Sequence, residues 1–122
     1  MMWGHGSRMA LVLGLCAVLA GCGGSGGGAA DTFPKDAASI ERGRQVFAGT
    51  CGAYCHKMTN IPVEAPFLFD CDWLHGGSET EIFNTINHGV PKTRMVGFAG
   101  ALPDDDIRQI VAYLKSASQC GH

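Results

Sequence analysis

The chain has 122 residues, 46% of them apolar and 16% charged, which suits one folded domain and excludes a disordered, highly charged chain. Its formal net charge of −2 argues against a nucleic-acid partner, because phosphate binding needs a basic surface. Six cysteines in so short a chain are unusual, and their use depends on the compartment in which the protein works.

The N-terminal segment predicts export. Arg8 precedes an apolar run over residues 9–20. That run is too short to span a bilayer, which needs ~20 residues, but it suits the apolar core of a signal peptide. It ends in Leu-Ala-Gly-Cys, which resembles the bacterial lipobox, so residues 1–21 are predicted as a lipoprotein signal peptide and Cys22 as the lipidated residue. The alternatives are an ordinary cleavage site that happens to end in cysteine and a buried core helix.

Residues 22–35 are predicted to be the lipid-bearing cysteine and a flexible tether, because their Gly-rich stretch offers nothing to pack. The folded domain is predicted over 36–122. The expected location is the periplasmic side of a bacterial membrane, with the domain held near the surface by its lipid.

Three helices are predicted in the domain. The first covers 36–48, and the second begins with a capping box at Ser78 and ends at Gly89. The third opens after Pro103 with three aspartates in its first turn, where carboxylates meet the positive end of the helix dipole. No segment shows the period-two alternation of a strand. An all-α domain of this size buries limited surface, so an additional source of stability is expected.

The first helix runs into the sequence Cys51-Gly-Ala-Tyr-Cys55-His56. The usual haem attachment motif is C-x-x-C-H, in which two thiols add to the haem vinyls and the histidine ligates iron. Here three residues separate the cysteines. The extra residue leaves open whether both thioether bonds form, and the bond at Cys51 is the one in question.

Together with this motif, four features resemble the small class I cytochromes c. The first helix carries Gly43 and Phe47, and the last helix carries the aromatic residue Tyr113. Pro66 follows the motif, and Met95 lies in a Gly/Pro-rich loop. The resemblance implies a cytochrome c-like bundle of three to four helices wrapped around one covalently bound haem c. It also implies that His56 and Met95 are the axial iron ligands and that the Pro66 carbonyl accepts the His56 Nδ1–H.

The resemblance implies a function as well. Two axial ligands leave no open iron site, so an electron carrier is expected and not an enzyme. Segments 68–73 and 75–78 resemble cytochromes that accept electrons from quinoprotein alcohol dehydrogenases. The expected role is therefore a shuttle from an exported dehydrogenase to a later cytochrome or oxidase.

Arg94 is expected either to pair with a haem propionate or to be solvated. Trp73 is expected either to donate its indole N–H to a propionate or to pack on the haem side. The exposed haem edge is expected among Tyr54, Val63, Val96 and Phe98.

Other assignments of these side chains stay open. Cys51, Cys55, Cys71 and His75 are a possible tetrahedral zinc set, which would make the chain a zinc-stabilised exported lipoprotein with a binding or structural role. A Cys51–Cys55 disulfide is a further alternative, although cysteines four apart on a helical turn meet disulfide geometry poorly. His88 is the rival sixth iron ligand, whereas Met58 is too close to His56 to reach the opposite haem face.

Cys71 and Cys120 are left over by the haem assignment. Outside the cytoplasm unpaired thiols tend to oxidise, so these two are predicted to form a disulfide. It would close a loop of about fifty residues and contribute ~2–4 kcal/mol, provided that the two Cα atoms approach within ~7 Å.

Overall fold

The computed structural model describes residues 32–120. The predicted signal peptide, Cys22, most of the tether and the last two residues lie outside this range. Within it, no helix is both long enough and apolar enough to cross a bilayer.

Helix α1 spans Ala37–Phe47 and leads directly into a five-residue π-helix, Ala48–Gly52, called the π-turn below. Asp36 caps α1, its side chain accepting a hydrogen bond from the Ser39 backbone N–H at 2.9 Å. The sequence predicted one regular helix to residue 48. The π-turn was not predicted, and it contains Cys51, the first cysteine of the attachment motif.

Helix α2 spans Glu79–His88 and helix α3 spans Asp104–Ala117. The capping box predicted at Ser78 is present, with the Ser78 and Glu81 side chains each accepting from the other residue's backbone N–H. Gly89 ends α2 with a φ of 71°. Residues 32–120 contain three α-helices and no strand, so the predicted all-α fold is confirmed.

Helices α1 and α3 cross at Gly43. A Cβ atom placed there would overlap the Gln109 carbonyl group and would lie 2.9 Å from the Ile110 backbone nitrogen. The crossing therefore requires glycine. One turn further along, Phe47 is 1% exposed and packs on Tyr113, with ring centroids 5.7 Å apart.

Phe69 completes this aromatic cluster, although no pattern in the sequence identifies it. Its ring centroid lies 5.7 Å from that of Phe47 and 5.8 Å from that of Tyr113. The cluster joins the helix crossing to the long irregular segment between the π-turn and α2. That segment, together with the irregular segment between α2 and α3, faces the cavity described next.

Candidate cofactor site

A cavity of about 530 Å³ lies between the π-turn, α2, α3 and the two irregular segments. The helices supply apolar side chains to its wall, including Ile82, Ile86, Ile110 and Leu114. All seven residues predicted to hold or surround a cofactor line this single cavity: Cys51, Cys55, His56, Pro66, Trp73, Arg94 and Met95. The four apolar residues predicted at its open edge line it as well: Tyr54, Val63, Val96 and Phe98.

A further π-type hydrogen bond, just after the π-turn, accommodates the extra residue in the attachment motif. The His56 backbone N–H donates to the Cys51 carbonyl at 2.9 Å, a bond from residue i+5 to residue i. In C-x-x-C-H the same two residues are separated by four positions, the spacing of an ordinary α-helical bond. A π-type turn contains one more residue than an α-turn, so the first cysteine and the histidine keep their backbone contact.

Both cysteines of the motif are free thiols, so the alternative of a Cys51–Cys55 disulfide is wrong. Cys51 is buried and Cys55 is half-buried. Burial, with a smaller contribution from the nearby Cys55, raises the pKa of the Cys51 thiol to about 11. The Cys51 sulfur is therefore protonated at neutral pH.

His56 is 7% exposed, and its Nδ1 lies 2.8 Å from the Pro66 carbonyl oxygen. A carbonyl can only accept, so Nδ1 carries a proton, and in the neutral ring Nε2 is the nitrogen that can bind a metal. This is the arrangement of a metal-ligating histidine, whose second nitrogen is fixed by a backbone acceptor. The predicted role of Pro66 therefore has the geometry it needs.

Met95 lies in a loop that is closed by its own backbone. The Val90 N–H donates to the Met95 carbonyl at 2.9 Å, and the Met95 N–H donates to the Thr93 hydroxyl at 3.1 Å. Gly89 and Gly97 allow the two ends of this loop to approach closely, since a Cβ at Gly89 would lie 2.6 Å from the Gly97 nitrogen. The loop presents the half-buried Met95 to the cavity that His56 also lines.

The rival sixth ligand, His88, lies elsewhere, and so does Met58, which the sequence had already excluded. His88 is exposed at the end of α2, is not part of the cavity wall, and its Nδ1 lies 2.9 Å from the Asn84 carbonyl. Met58 is 44% exposed and also lies outside the cavity wall. Neither is placed to replace Met95.

The zinc alternative is wrong. Cys71 is joined to Cys120 in a disulfide, with 5.4 Å between the Cα atoms, and is therefore not free to bind metal. His75 is exposed. In the part of the chain that the structure describes, no group of three or more His, Cys, Asp or Glu side chains is arranged to hold a metal ion.

Arg94 and Trp73 both line the cavity, but only Arg94 already has a polar partner in the protein. Arg94 is 80% exposed at the side chain and pairs with Glu64, with 2.9 Å between Nη1 and Oε2. The Trp73 Nε1 is buried and has no hydrogen-bond partner in the described protein. An unpaired buried N–H is costly, so this indole is a donor that fits an acceptor group inside the cavity.

These features fit haem c. Two free thiols, a histidine whose Nδ1 is held by the Pro66 carbonyl, and a methionine all line one apolar cavity. The buried Trp73 donor fits a propionate. Fold and site together define a c-type cytochrome, a class of electron-transfer proteins.

The family follows from comparison with known proteins. Residues 38–114 match the family described as cytochrome c oxidase, cbb3-type, subunit III, and the chain belongs to this family of mono-haem cytochrome domains, which bind haem c covalently. One relative is the cbb3-type oxidase subunit CcoP of Rubrivivax gelatinosus, 31% identical over 94 residues. Another is the subunit FixP of Sinorhizobium medicae, 36% identical over 90 residues.

These matches cover only part of the relatives. They include 76% and 66% of this chain but 31% of each relative. Among solved structures, cytochrome cL of Methylophaga aminisulfidivorans is similar with a TM-score of 0.60 and 25% identity, over 66% of this chain and 56% of that one. Cytochrome c6 of the diatom Phaeodactylum tricornutum is similar with a TM-score of 0.53 and 26% identity, over 66% of this chain and 94% of that one. The expected cytochrome c fold is confirmed.

Proposed function

We propose that this protein is an exported, lipid-anchored electron carrier that holds one haem through thioethers at Cys51 and Cys55 and through axial bonds from His56 and Met95. The observation that carries the proposal is the convergence of these four side chains on one apolar cavity. Bound haem supplies one-electron chemistry, with iron alternating between the ferrous and ferric states.

The protein contributes ligand identity and rigidity. The Pro66 carbonyl fixes the ring of His56, and the closed loop fixes Met95, so neither ligand has to reorganise between redox states. The methionine thioether favours ferrous iron and raises the potential relative to two histidines. The buried Trp73 N–H would donate to a propionate of the bound haem. Arg94 is held by Glu64 in this structure, so its pairing with a propionate would require exchange of that exposed ion pair.

Attachment is tested by the pyridine haemochrome spectrum of the purified holoprotein, which reports how many haem vinyls are saturated. Two thioethers are expected, because the π-turn keeps Cys51 in contact with His56. A spectrum typical of one thioether would show that the extra residue disables one bond. A spectrum typical of unattached haem would refute the assignment of Cys51 and Cys55.

The sixth ligand is tested by two methionine variants. Met95→Ala should abolish the weak near-infrared band of Fe–Met coordination, open ferrous iron to carbon monoxide and lower the potential. Met58→Ala is the matched control and should change none of the three, because Met58 lies outside the cavity wall. Reversed behaviour of the two variants would refute the ligand assignment.

We propose a quinoprotein alcohol dehydrogenase as the electron donor and a later cytochrome or oxidase as the acceptor. Segments 68–73 and 75–78 support the donor, as does similarity to a cytochrome cL from a methylotrophic bacterium. Relatives that are oxidase subunits support the acceptor. Stopped-flow reduction of the oxidised protein should be fast and saturable with a purified quinoprotein alcohol dehydrogenase and its alcohol. A rate no higher than that with an unrelated exported dehydrogenase would refute the donor class.

Electron transfer is expected at the apolar rim of the cavity. Tyr54 is 79% exposed and Val96 is 64% exposed, and both line the cavity. Substituting either with serine should slow the bimolecular reaction with the donor and leave the potential unchanged. Leu74 is 67% exposed, also lines the cavity, and provides a third position at which to test the rim.

The lipid anchor is tested at Cys22, which lies outside the described residues. Fatty-acid labelling and membrane fractionation should show a labelled, membrane-bound wild type. Cys22→Ser should carry no label, and its haem spectrum should be unchanged. A soluble, unlabelled wild type would show that the lipobox resemblance is a coincidence and that the carrier is free in the periplasm.

A further inference from the structure

We propose that the C-terminal segment 115–120, called the strap, is a positioning device that holds Trp73 in the wall of the haem cavity and so helps to set the reduction potential. The proposal rests on the proposed function, because it assumes that the Trp73 indole donates to a group of the bound cofactor. It assigns a role to the Cys71–Cys120 disulfide beyond closing a loop.

The wall that carries Trp73 has no regular structure. Residues 68–77 contain neither helix nor strand, although six of them line the cavity: Leu68, Asp72, Trp73, Leu74, His75 and Gly76. A backbone of this kind gains no rigidity from a hydrogen-bonded ladder. Its position must come from contacts with other parts of the molecule.

The strap supplies such contacts on both sides of Trp73. Before it in sequence, Cys71 is bonded to Cys120, and the Gln119 N–H donates to the Phe69 carbonyl at 2.9 Å. After it in sequence, the Lys115 ammonium donates to the Gly77 carbonyl at 2.9 Å. The strap therefore holds the wall segment at both ends of the stretch that contains the indole.

The indole itself touches both the strap and the far end of the wall segment. The Lys115 Nζ lies 6.0 Å from the centroid of the Trp73 ring, within the range of a cation–π contact. A Cβ at Gly77 would lie 2.6 Å from Trp73 Cδ1, so the Gly77 backbone packs directly on the ring. Cys71 has a φ of 70°, which non-glycine residues rarely adopt and which persists only where surrounding contacts enforce it.

This arrangement predicts how the strap affects the reduction potential of the iron. The Trp73 Nε1 is buried and unpaired within the described protein, so its natural acceptor is a propionate of the bound haem. A donor to a propionate reduces the negative charge near the iron and favours the ferrous state. If the strap is released, the indole loses its position, and the potential should fall in the same direction as when the indole is removed.

The test is a double-mutant cycle measured by redox titration of the holoprotein. The three variants are Cys71→Ser/Cys120→Ser, Trp73→Phe and the combination of both. The disulfide variant and Trp73→Phe should each lower the potential. In the Trp73→Phe background, removal of the disulfide should cause little further shift. Trp73 is also the one tryptophan in residues 32–120, so its quenching by haem reports its displacement in the disulfide variant directly.

Two further variants separate positioning from stability. Lys115→Met keeps the disulfide and removes the bond to the Gly77 carbonyl, so it should lower the potential even if the disulfide variant fails to mature. Loss of the Lys115 charge alone would act in any background, so a positioning role requires this shift to disappear when Trp73→Phe is also present. Ile107→Val weakens the α3 core away from the cavity wall and should lower the unfolding temperature without moving the potential.

Several outcomes would overturn the proposal. They are additive shifts in the cycle, an unchanged potential in both strap variants, or a shift in the strap variants when Trp73→Phe alone causes none. The last outcome would also remove the role proposed for Trp73. The rest of the proposed function fails independently, through the haemochrome spectrum or Met95→Ala.

Discussion

Replacing Gly89 by alanine tests whether the backbone at the end of α2 holds the sixth ligand. Gly89 has φ 71° and ψ −172°, a region that is essentially confined to glycine and costs other residues ~1–3 kcal/mol. The added Cβ would also lie 2.5 Å from the Met95 carbonyl oxygen. Ordinary contact begins near 3.4 Å, so one of the two groups must move by about 0.9 Å. A ligand bond does not tolerate that displacement easily.

The assay is the near-infrared Fe–Met band, combined with carbon monoxide binding to the ferrous protein. Gly89→Ala should weaken the band and speed carbon monoxide binding, since a displaced Met95 opens the iron. Gly100→Ala is the matched control. Its φ is 77°, but a Cβ there meets nothing within 4 Å, so it carries backbone strain without a collision. It should lower stability and keep the band. A full band in Gly89→Ala, or equal loss in both variants, would refute the reasoning.

Three further predictions concern α1 and the π-turn. Gly43→Ala should destabilise the holoprotein by ~1–3 kcal/mol in urea unfolding, because the new Cβ overlaps the Gln109 carbonyl; unchanged stability would mean that the helices separate without cost. Deletion of Ala53 converts the motif to C-x-x-C-H and should leave two thioethers by haemochrome, since the Cys51–His56 bond then becomes an ordinary helical one. Hydrogen bonds from Arg44 lower the pKa of Glu41 to about 2. The stability that Glu41 adds over Glu41→Gln should therefore be complete above about pH 4.5 and disappear as pH falls through about 2; a difference in melting temperature that grows on acidification would contradict this.

The features that could be predicted from sequence are encoded over short distances. Ser78 and Glu81 form a capping box within four residues, and the apolar stripe of α3 repeats at helical spacing. The attachment motif and the methionine loop are also local. The resemblance to class I cytochromes c then supplied the arrangement of these local elements, which periodicity alone does not determine. The fold and the set of cavity-lining residues followed from these two sources together.

What was not predicted depends on contacts between distant residues or on backbone detail. The Cys71–Cys120 disulfide was predicted, but the zinc alternative stayed open beside it, because its two cysteines are 49 residues apart and no local pattern separates a disulfide cysteine from a zinc ligand. The π-turn was missed because nothing in its five residues differs from an ordinary helix end. The contacts of Lys115 and Gln119 with the wall segment have no sequence signal beyond a polar helix end.

The proposed haem ligands and the proposed propionate donor lie mainly on irregular backbone, and each has a separate constraint. His56 is held by the Pro66 carbonyl, Met95 by the hydrogen bonds and glycines of its loop, and Trp73, in our proposal, by the strap. The three helices provide much of the apolar wall and the crossing at Gly43, but they carry few of the proposed ligands and donors. A carrier that alternates between two redox states benefits from this arrangement, because preorganised ligands and dipoles need little reorganisation when the charge changes. Rigidity at this site is therefore a property of specific contacts, and single substitutions in loops should alter the potential more readily than substitutions in the helical core.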